Sequence, residues 1–242
     1  MLDVGVIRPV KYPTWLSNVV LVKKKNGKWR MCVDFMSINK TCPKDDFPLP
    51  RISTLVDSAA SCEHLSLLDY FLGYHQIWMN QEDEEKTCFI TPFGTYCFRR
   101  MAEALCNVGS TFARMISKVF KEDKAISAYV DDIIVQSKLK QEHIEDLRRA
   151  FNNLHNVGLK LNPTKCIFGV SKGKLLGCLV SARGIETNLE KIDAILNMEP
   201  PTSRKLAQRL VGRLVALNRF ISRSTERGLP FFEVLKNIDS YS

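Results

Sequence analysis

The stretch Ile126–Lys138, ISAYVDDIIVQSK, constrains this chain more than any other. Two adjacent aspartates, Asp131 and Asp132, stand between two runs of strand-forming apolar residues. Aspartate is depleted in strands and suits turns, so the pair predicts the tip of a hairpin. A two-residue tip between ISAYV and IIVQS exposes both carboxylates. An ordinary turn that favours Asp accounts for the pair by itself. The flanks ask for more, because a turn that only faces solvent does not need Tyr-Val before it and Ile-Ile-Val after it. They predict a hairpin packed against other elements, with its carboxylates on a rigid support. Carboxylates so held offer the hard oxygen ligands that magnesium takes while it keeps substrate phosphates in its shell.

A third carboxylate, Asp69, ends the apolar run LSLL. Its strand is predicted to be buried, with the site at the strand's end; a plain strand-terminating Asp reads the same way. The other unit with chemistry in it is VVLVKKKNGKWRMCVDF, Val19–Phe35. Asn26-Gly27 is a strong hairpin signal, since both residues accept positive φ. The tip carries Lys23, Lys24, Lys25 and Lys28, then Trp29 and Arg30. Arg presents a planar fork to phosphate and Lys a point charge, so this tip suits clamping a triphosphate. Lysines on an exposed strand also deter edge-to-edge aggregation.

A chain of 242 residues, 45% hydrophobic, fills one large domain or two or three subdomains around a shared core. Its net charge of +9 favours a polyanionic partner, nucleic acid first and an anionic membrane surface second; a basic soluble protein with neither is the alternative. None of the eight cysteines forms a C-x-x-C pair or a zinc-spaced cluster. With no signal peptide or long apolar span, they read as reduced, mostly core thiols of an intracellular protein.

Along the chain, CPKDDFPLPRI is too rich in proline for regular structure. SLLDYFLGYHQIWM (Ser66–Met79) follows, then the acidic turn QEDEEKT and a second hairpin around Pro92–Gly94. Leu105–Phe120 reads as a helix, with Phe112, Met115, Ile116, Val119 and Phe120 at helical spacing. Glu142–Val157 reads as an amphipathic helix with Ile144, Leu147, Phe151 and Leu154 on its apolar stripe, stopped by Gly158. GKLLGCLVSARG reads as a short hairpin. Thr187-x-x-Glu190 is a capping box for a helix through Met198, and Ser203 caps another to about Ile221. The fold class is therefore α+β, with strands and helices interleaved up to Glu186 and a helical tail after it.

These motifs together resemble the reverse transcriptase of gypsy-type LTR retrotransposons, most closely the plant elements. The residues that carry the resemblance are VVLVKKKNGKWRMCVDF, FPLPRI, LDYFLGYHQI, DEEKTCFITPFGTYCF, YVDDIIVQSK, LKLNPTKCIFG, LLGCLVSARGI and LNRFI, in the family's order over nearly the whole chain. The resemblance implies a right-hand polymerase whose fingers and palm occupy residues 1–186, with a palm sheet carrying the aspartates. Residues 187–242 would begin the thumb or connection. It implies RNA- and DNA-directed DNA polymerisation, in which dNTPs are added to a primer 3′ end. Asp69, Asp131 and Asp132, with the main-chain carbonyl of Tyr70, would hold two magnesium ions, manganese being a substitute. Lys24 and Arg30 would contact the incoming triphosphate, and Leu72 and Gly73 would offer backbone amides. Tyr74 would be the steric gate against a ribose 2′-OH. Tyr129, Leu176 and Gly177 would meet primer and template. A cytoplasmic virus-like particle is the implied location, with RNase H and integrase portions of a polyprotein as neighbours; no such portion is visible in this chain.

The chain departs from the family pattern at several places. Met101-Ala102-Glu103-Ala104-Leu105 stands where the family has Met-Pro-x-Gly-Leu, losing a fixed φ and a flexible position. Cys106 stands where Lys or Thr is common, and Met36 where an Arg is usual. Tyr70-Phe71-Leu72 is bulkier than usual, and KEDKAIS is about two residues short. These departures keep a second reading open, a catalytically inactive nucleic-acid-binding remnant, and a third, a metal-free scaffold.

Overall fold

The computed structural model describes residues 1–23, 27–121, 123–223 and 226–229. In chain order the elements are β1 (Ile7–Pro9), the hairpin β2 (Val19–Lys23) and β3 (Trp29–Val33), α1 (Met36–Thr41), α2 (Ile52–Ala59), β4 (His64–Asp69) and α3 (Gln81–Glu84). The hairpin β5 (Phe89–Thr91) and β6 (Gly94–Phe98), α4 (Val108–Val119), the hairpin β7 (Ile126–Tyr129) and β8 (Asp132–Ser137), and α5 (His143–Asn156) follow. The chain continues with β9 (Ile167–Val170), β10 (Lys172–Leu175), β11 (Cys178–Ser181), β12 (Gly184–Glu186), α6 (Leu189–Leu196) and α7 (Arg204–Val215).

The centre is a four-stranded antiparallel sheet in the order β7-β8-β4-β9. Its register explains the apolar run after the aspartates. Successive strand side chains point to opposite faces. Ile133 and Val135 pack with Phe112 and Ile116 of α4 and Ala150 and Leu154 of α5. Ile134 points the other way, to Val56 of α2 and to Leu175 and Val180 of the β10-β11-β12 meander. With both faces covered, alternation disappears and the strand reads as continuously apolar. A second sheet, β1-β6-β5, encloses a core of Val6, Val33, Phe35, Phe89 and Phe98.

Several expectations shift. Helix α4 begins at Val108 rather than Leu105, with Asn107 (φ −97°, ψ 3°) as its N-cap; upstream, Ala104 takes a left-handed backbone (φ +71°). Helix α5 ends on Gly158 as expected (φ +71°), but its buried face is rotated. Ile144 and Phe151 are exposed, and His143 and Asp146 are buried in their place. The buried polar pair is satisfied: the His143 ring bonds Ser66 Oγ (2.7 Å) and Ser137 Oγ (2.8 Å), and Arg149 donates to Asp146 (2.7 Å). The cap of α6 is Asn188, whose side chain accepts from Glu190 N–H at 3.1 Å, not Thr187. Helix α6 stops at Leu196 and α7 at Val215, shorter than the apolar spacing suggested. GKLLGCLVSARG belongs to a three-stranded meander rather than a hairpin. The cysteines are free, but only Cys62, Cys88 and Cys97 are buried.

Candidate active site

Strands β4 and β8 pair from His64↔Ser137 to Asp69↔Asp132, so two carboxylates face each other at the end of the central pair. Tyr129 pairs with Asp132, which makes Val130–Asp131 the two-residue turn. The tip is thus one residue earlier than the sequence suggested: Asp132 opens a strand and only Asp131 lies in the turn. Val130 carries the positive φ (+51°), a conformation that its branched Cβ disfavours. Such strain persists only where surrounding packing over-determines it, and here the buried Ile133–Val135 run anchors the hairpin.

The loop after β4 completes the arrangement. Leu72 turns left-handed (φ +49°) into a single helical turn, Gly73–Gln76. A Cβ on Gly73 would lie 3.2 Å from Tyr70 Cβ, a tight contact, and 3.5 Å from Asp131 Oδ1, an ordinary one, so glycine eases the packing of this turn on Tyr70 beside the carboxylate. Tyr74 packs edge-on against Phe112 (5.3 Å), and its phenol and the Asp131 carboxylate influence each other's ionisation. Burial, with Asp131 beside it, pushes the Tyr74 phenol up to about 12. Tyr70 is buried edge-on against Phe112 at 5.0 Å, and its hydroxyl has no partner among the described residues. Its side chain thus serves the core, which leaves only its main chain for a ligand.

The carboxylates are electrostatically crowded. Asp131 and Asp132 reach solvent, yet the surrounding protein removes part of their hydration and raises both pKa values. Asp69 adds to the rise at both, and Glu103 to that at Asp131. Among the described residues Lys165 answers them, with Nζ 3.1 Å and 3.4 Å from the two oxygens of Asp69. Lys165 was not singled out from the sequence. Its signal was Asn162-Pro-Thr, an Asx turn in which Asn162 Oδ1 accepts from Thr164 N–H (3.3 Å) and Oγ1 (2.8 Å) and so aims the next residue. Among the described residues no three carboxylate, thiol or imidazole groups converge on a single metal position as they stand. The donor set nevertheless fits a divalent cation: hard oxygens, surplus negative charge, and an ammonium already on one of them.

The remaining residues are arranged around this centre. Leu176 (φ +45°) and Gly177 form the β10–β11 turn, and Leu176 lines a crease of about 150 Å³ with Asp69, Asp132 and Lys165. Larger hollows lie elsewhere. Arg30 on β3 reaches Glu103 at 3.9 Å, which links the basic hairpin to the loop after β6. Lys24 lies outside the described residues.

Known proteins share this sequence and architecture. The family described as reverse transcriptase (RNA-dependent DNA polymerase) matches residues 22–180. The retrovirus-related Pol polyprotein from transposon opus of Drosophila melanogaster is 34% identical over 98% of this chain, which covers 24% of that polyprotein. The transposon Tf2-3 polyprotein of Schizosaccharomyces pombe is 30% identical over 90% of the chain, covering 16% of its own length. The chain therefore spans a quarter or less of these relatives. A foamy viral protease-reverse transcriptase in complex with double-stranded DNA superimposes with a TM-score of 0.92 at 22% identity, over 100% of this chain and 42% of the other. The same kind of protein in complex with an RNA/DNA hybrid gives a TM-score of 0.86 at 21% identity, over 99% and 32%. The right-hand polymerase architecture expected from the motifs is the one these structures share. Reverse transcriptases generally use divalent metal ions. The chain belongs to the reverse transcriptase family, as a domain of the kind that LTR retrotransposon polyproteins carry.

Proposed function

We propose that this chain is the polymerase domain of a gypsy-type retrotransposon of plant kind, adding dNTPs to a primer 3′ end on RNA or DNA templates. The observation that carries the reading is the facing pair Asp69 and Asp132, with Asp131 on the adjoining strained turn. These three carboxylates and the Tyr70 main-chain carbonyl would hold magnesium, with manganese as a substitute. The bound ions would activate the primer hydroxyl and stabilise the leaving pyrophosphate. The protein's own groups orient the substrates. Arg30 and Lys24 draw the triphosphate to the centre, and the Leu72–Gly73 backbone beside Asp131 offers amides to it. Tyr74, fixed by Phe112 and Asp131, sets its ring where a 2′-hydroxyl would collide. Tyr129, Leu176 and Gly177 steady primer and template. We assign residues 1–186 to fingers and palm and 187–242 to the start of the thumb. RNase H and integrase portions of a polyprotein are the proposed neighbours, and a cytoplasmic particle the proposed setting. Among the described residues no helix is long and apolar enough to cross a membrane.

One observation favours the second reading, a nucleic-acid-binding remnant without catalysis. Ala104 holds φ +71° beside the site, where the related pattern has glycine. Incorporation of dTTP on oligo(dT)-primed poly(rA), with magnesium and then manganese, separates the two. Polymerisation lost in Asp131→Asn supports the first reading. Duplex binding without any incorporation by the folded wild type establishes the remnant.

A further inference from the structure

We propose that Cys42 and Cys106 form a redox-active thiol pair, at which a small disulfide such as oxidised glutathione crosslinks the segment after α1 to the loop before α4. Cys42 follows the last residue of α1, and Cys106 lies exposed in the loop between β6 and α4. The two thiols are neighbours across these segments: Asn107, next in sequence to Cys106, reaches Cys42 Sγ, and the Cys106 thiol acts on that of Cys42. Asparagine-centred contacts already bind the segments together. Asn39 Nδ2 donates to Ala104 O (2.9 Å), while Asn39 Oδ1 accepts from Cys106 N–H (2.8 Å). Asn107 Nδ2 donates to Pro43 O (2.8 Å) and lies 3.5 Å from Cys42 Sγ. Both cysteines line a cavity of about 610 Å³, which gives a small disulfide room to approach. Cys62, Cys88 and Cys97 are buried and closed to such a reagent.

The chemistry balances with that one oxidant. Cys106 loses its proton to solvent, and its thiolate attacks one sulfur of the small disulfide. That S–S bond breaks and the first small thiol leaves, taking a proton from solvent. Burial raises the Cys42 pKa, so Cys42 stays protonated while Cys106 reacts. Cys42 then gives up its proton and attacks Cys106 Sγ of the mixed disulfide, and the second small thiol leaves. Two protein thiols are oxidised and one disulfide is reduced to two thiols. The crosslink closes a long stretch of chain and pins the Ala102–Asn107 loop, whose Glu103 acts on Tyr74 and Asp131.

The test does not depend on polymerase activity. The whole chain is incubated with oxidised glutathione, alkylated, digested and analysed by mass spectrometry, with a dithiothreitol-treated sample beside it. The expected result is a joined Cys42 and Cys106 peptide pair, loss of two alkylatable thiols, recovery on reduction, and a Tm several degrees higher. Cys106→Ser should abolish the link and the Tm shift with an unchanged circular dichroism spectrum. Cys42→Ser should stop at a glutathione adduct on Cys106. The proposal is overturned if both thiols stay alkylatable, if wild-type Cys106 carries only the adduct, or if Cys106 links to a different cysteine or a second chain.

Discussion

Leu72, Ala104, Val130 and Leu176, all near the site, hold left-handed backbones that their side chains resist. An L-residue with a Cβ loses about 1 kcal/mol in the left-handed region, a loss glycine avoids. Ala104 is one such residue at φ +71°, and its methyl makes no contribution to a buried core. Ala104→Gly should therefore stabilise the chain by about 1 kcal/mol in urea unfolding, with the m-value unchanged. If incorporation also rises, the loop limits catalysis; if only stability rises, it does not. Asp132 carries a different cost. Its pKa is raised by desolvation and by Asp69, so its ionised form is disfavoured in the folded state. A raised carboxylate pKa means that the native state holds its proton more tightly than the unfolded chain, so stability grows as pH falls. Asp132→Asn should raise Tm at pH 7, and its advantage should shrink towards pH 4. On the polymerase reading the same change abolishes incorporation, the trade of stability for function expected at a catalytic centre. The sequence made the aspartates conspicuous but not the register that divides them between turn and strand. A one-residue shift of a hairpin tip depends on which side chains the sheet's two faces bury, and that is decided by partners far away in the chain.

At the scale of elements, helices α4 and α5 against the central sheet were legible as helices, while the buried face of α5 was not. A stripe of Ile144, Leu147, Phe151 and Leu154 looked like the core face, yet the helix turns His143 and Asp146 inward. Local periodicity cannot announce this, because the partners that make their burial tolerable, Ser66 and Ser137, lie on β4 and β8. Asp146 takes the Ser137 hydroxyl and Arg149, and Arg149 also reaches Asp123. His64 lies 5.8 Å from the His143 ring. Burial and His64 lower the His143 pKa below its ordinary 6.5, against an opposing pull from Asp146. The unfolded chain therefore binds a proton that the native state refuses, and stability should be full above about pH 6.5 and fall as pH drops below it. Urea midpoints between pH 7.5 and pH 5 should show this decline. His143→Gln, which keeps two hydrogen-bonding atoms without the charge, should flatten it. A slope unchanged in that variant would assign the acid sensitivity to another group.

For the whole molecule the informative quantity is charge. The chain carries a formal net charge of +9, yet Asp69, Asp131 and Asp132 gather negative charge at the end of β4 and β8. On the polymerase reading, a polyanion is drawn in by the excess of lysines and arginines while its reacting end meets carboxylates. Without cations at that centre, phosphates and aspartates repel; Lys165 on Asp69 is the protein's own partial answer. Composition made the attraction visible, and the family motifs made the architecture visible, but neither revealed that a lysine covers one of the aspartates. Two effects on primer–template binding follow, opposite in their response to the solution. Attraction by lysines and arginines releases counterions, so log affinity should fall linearly as log salt rises. Repulsion at the centre should ease when magnesium is present, so affinity at fixed ionic strength should rise with magnesium. That gain should be smaller in Asp131→Asn, which starts with less charge to neutralise, while its salt slope stays at the wild-type value. Fluorescence anisotropy of a labelled duplex, titrated at constant ionic strength with and without magnesium, measures both. A magnesium gain of equal size in wild type and variant would remove the aspartates from metal binding. A flat salt response would remove the basic surface from duplex binding.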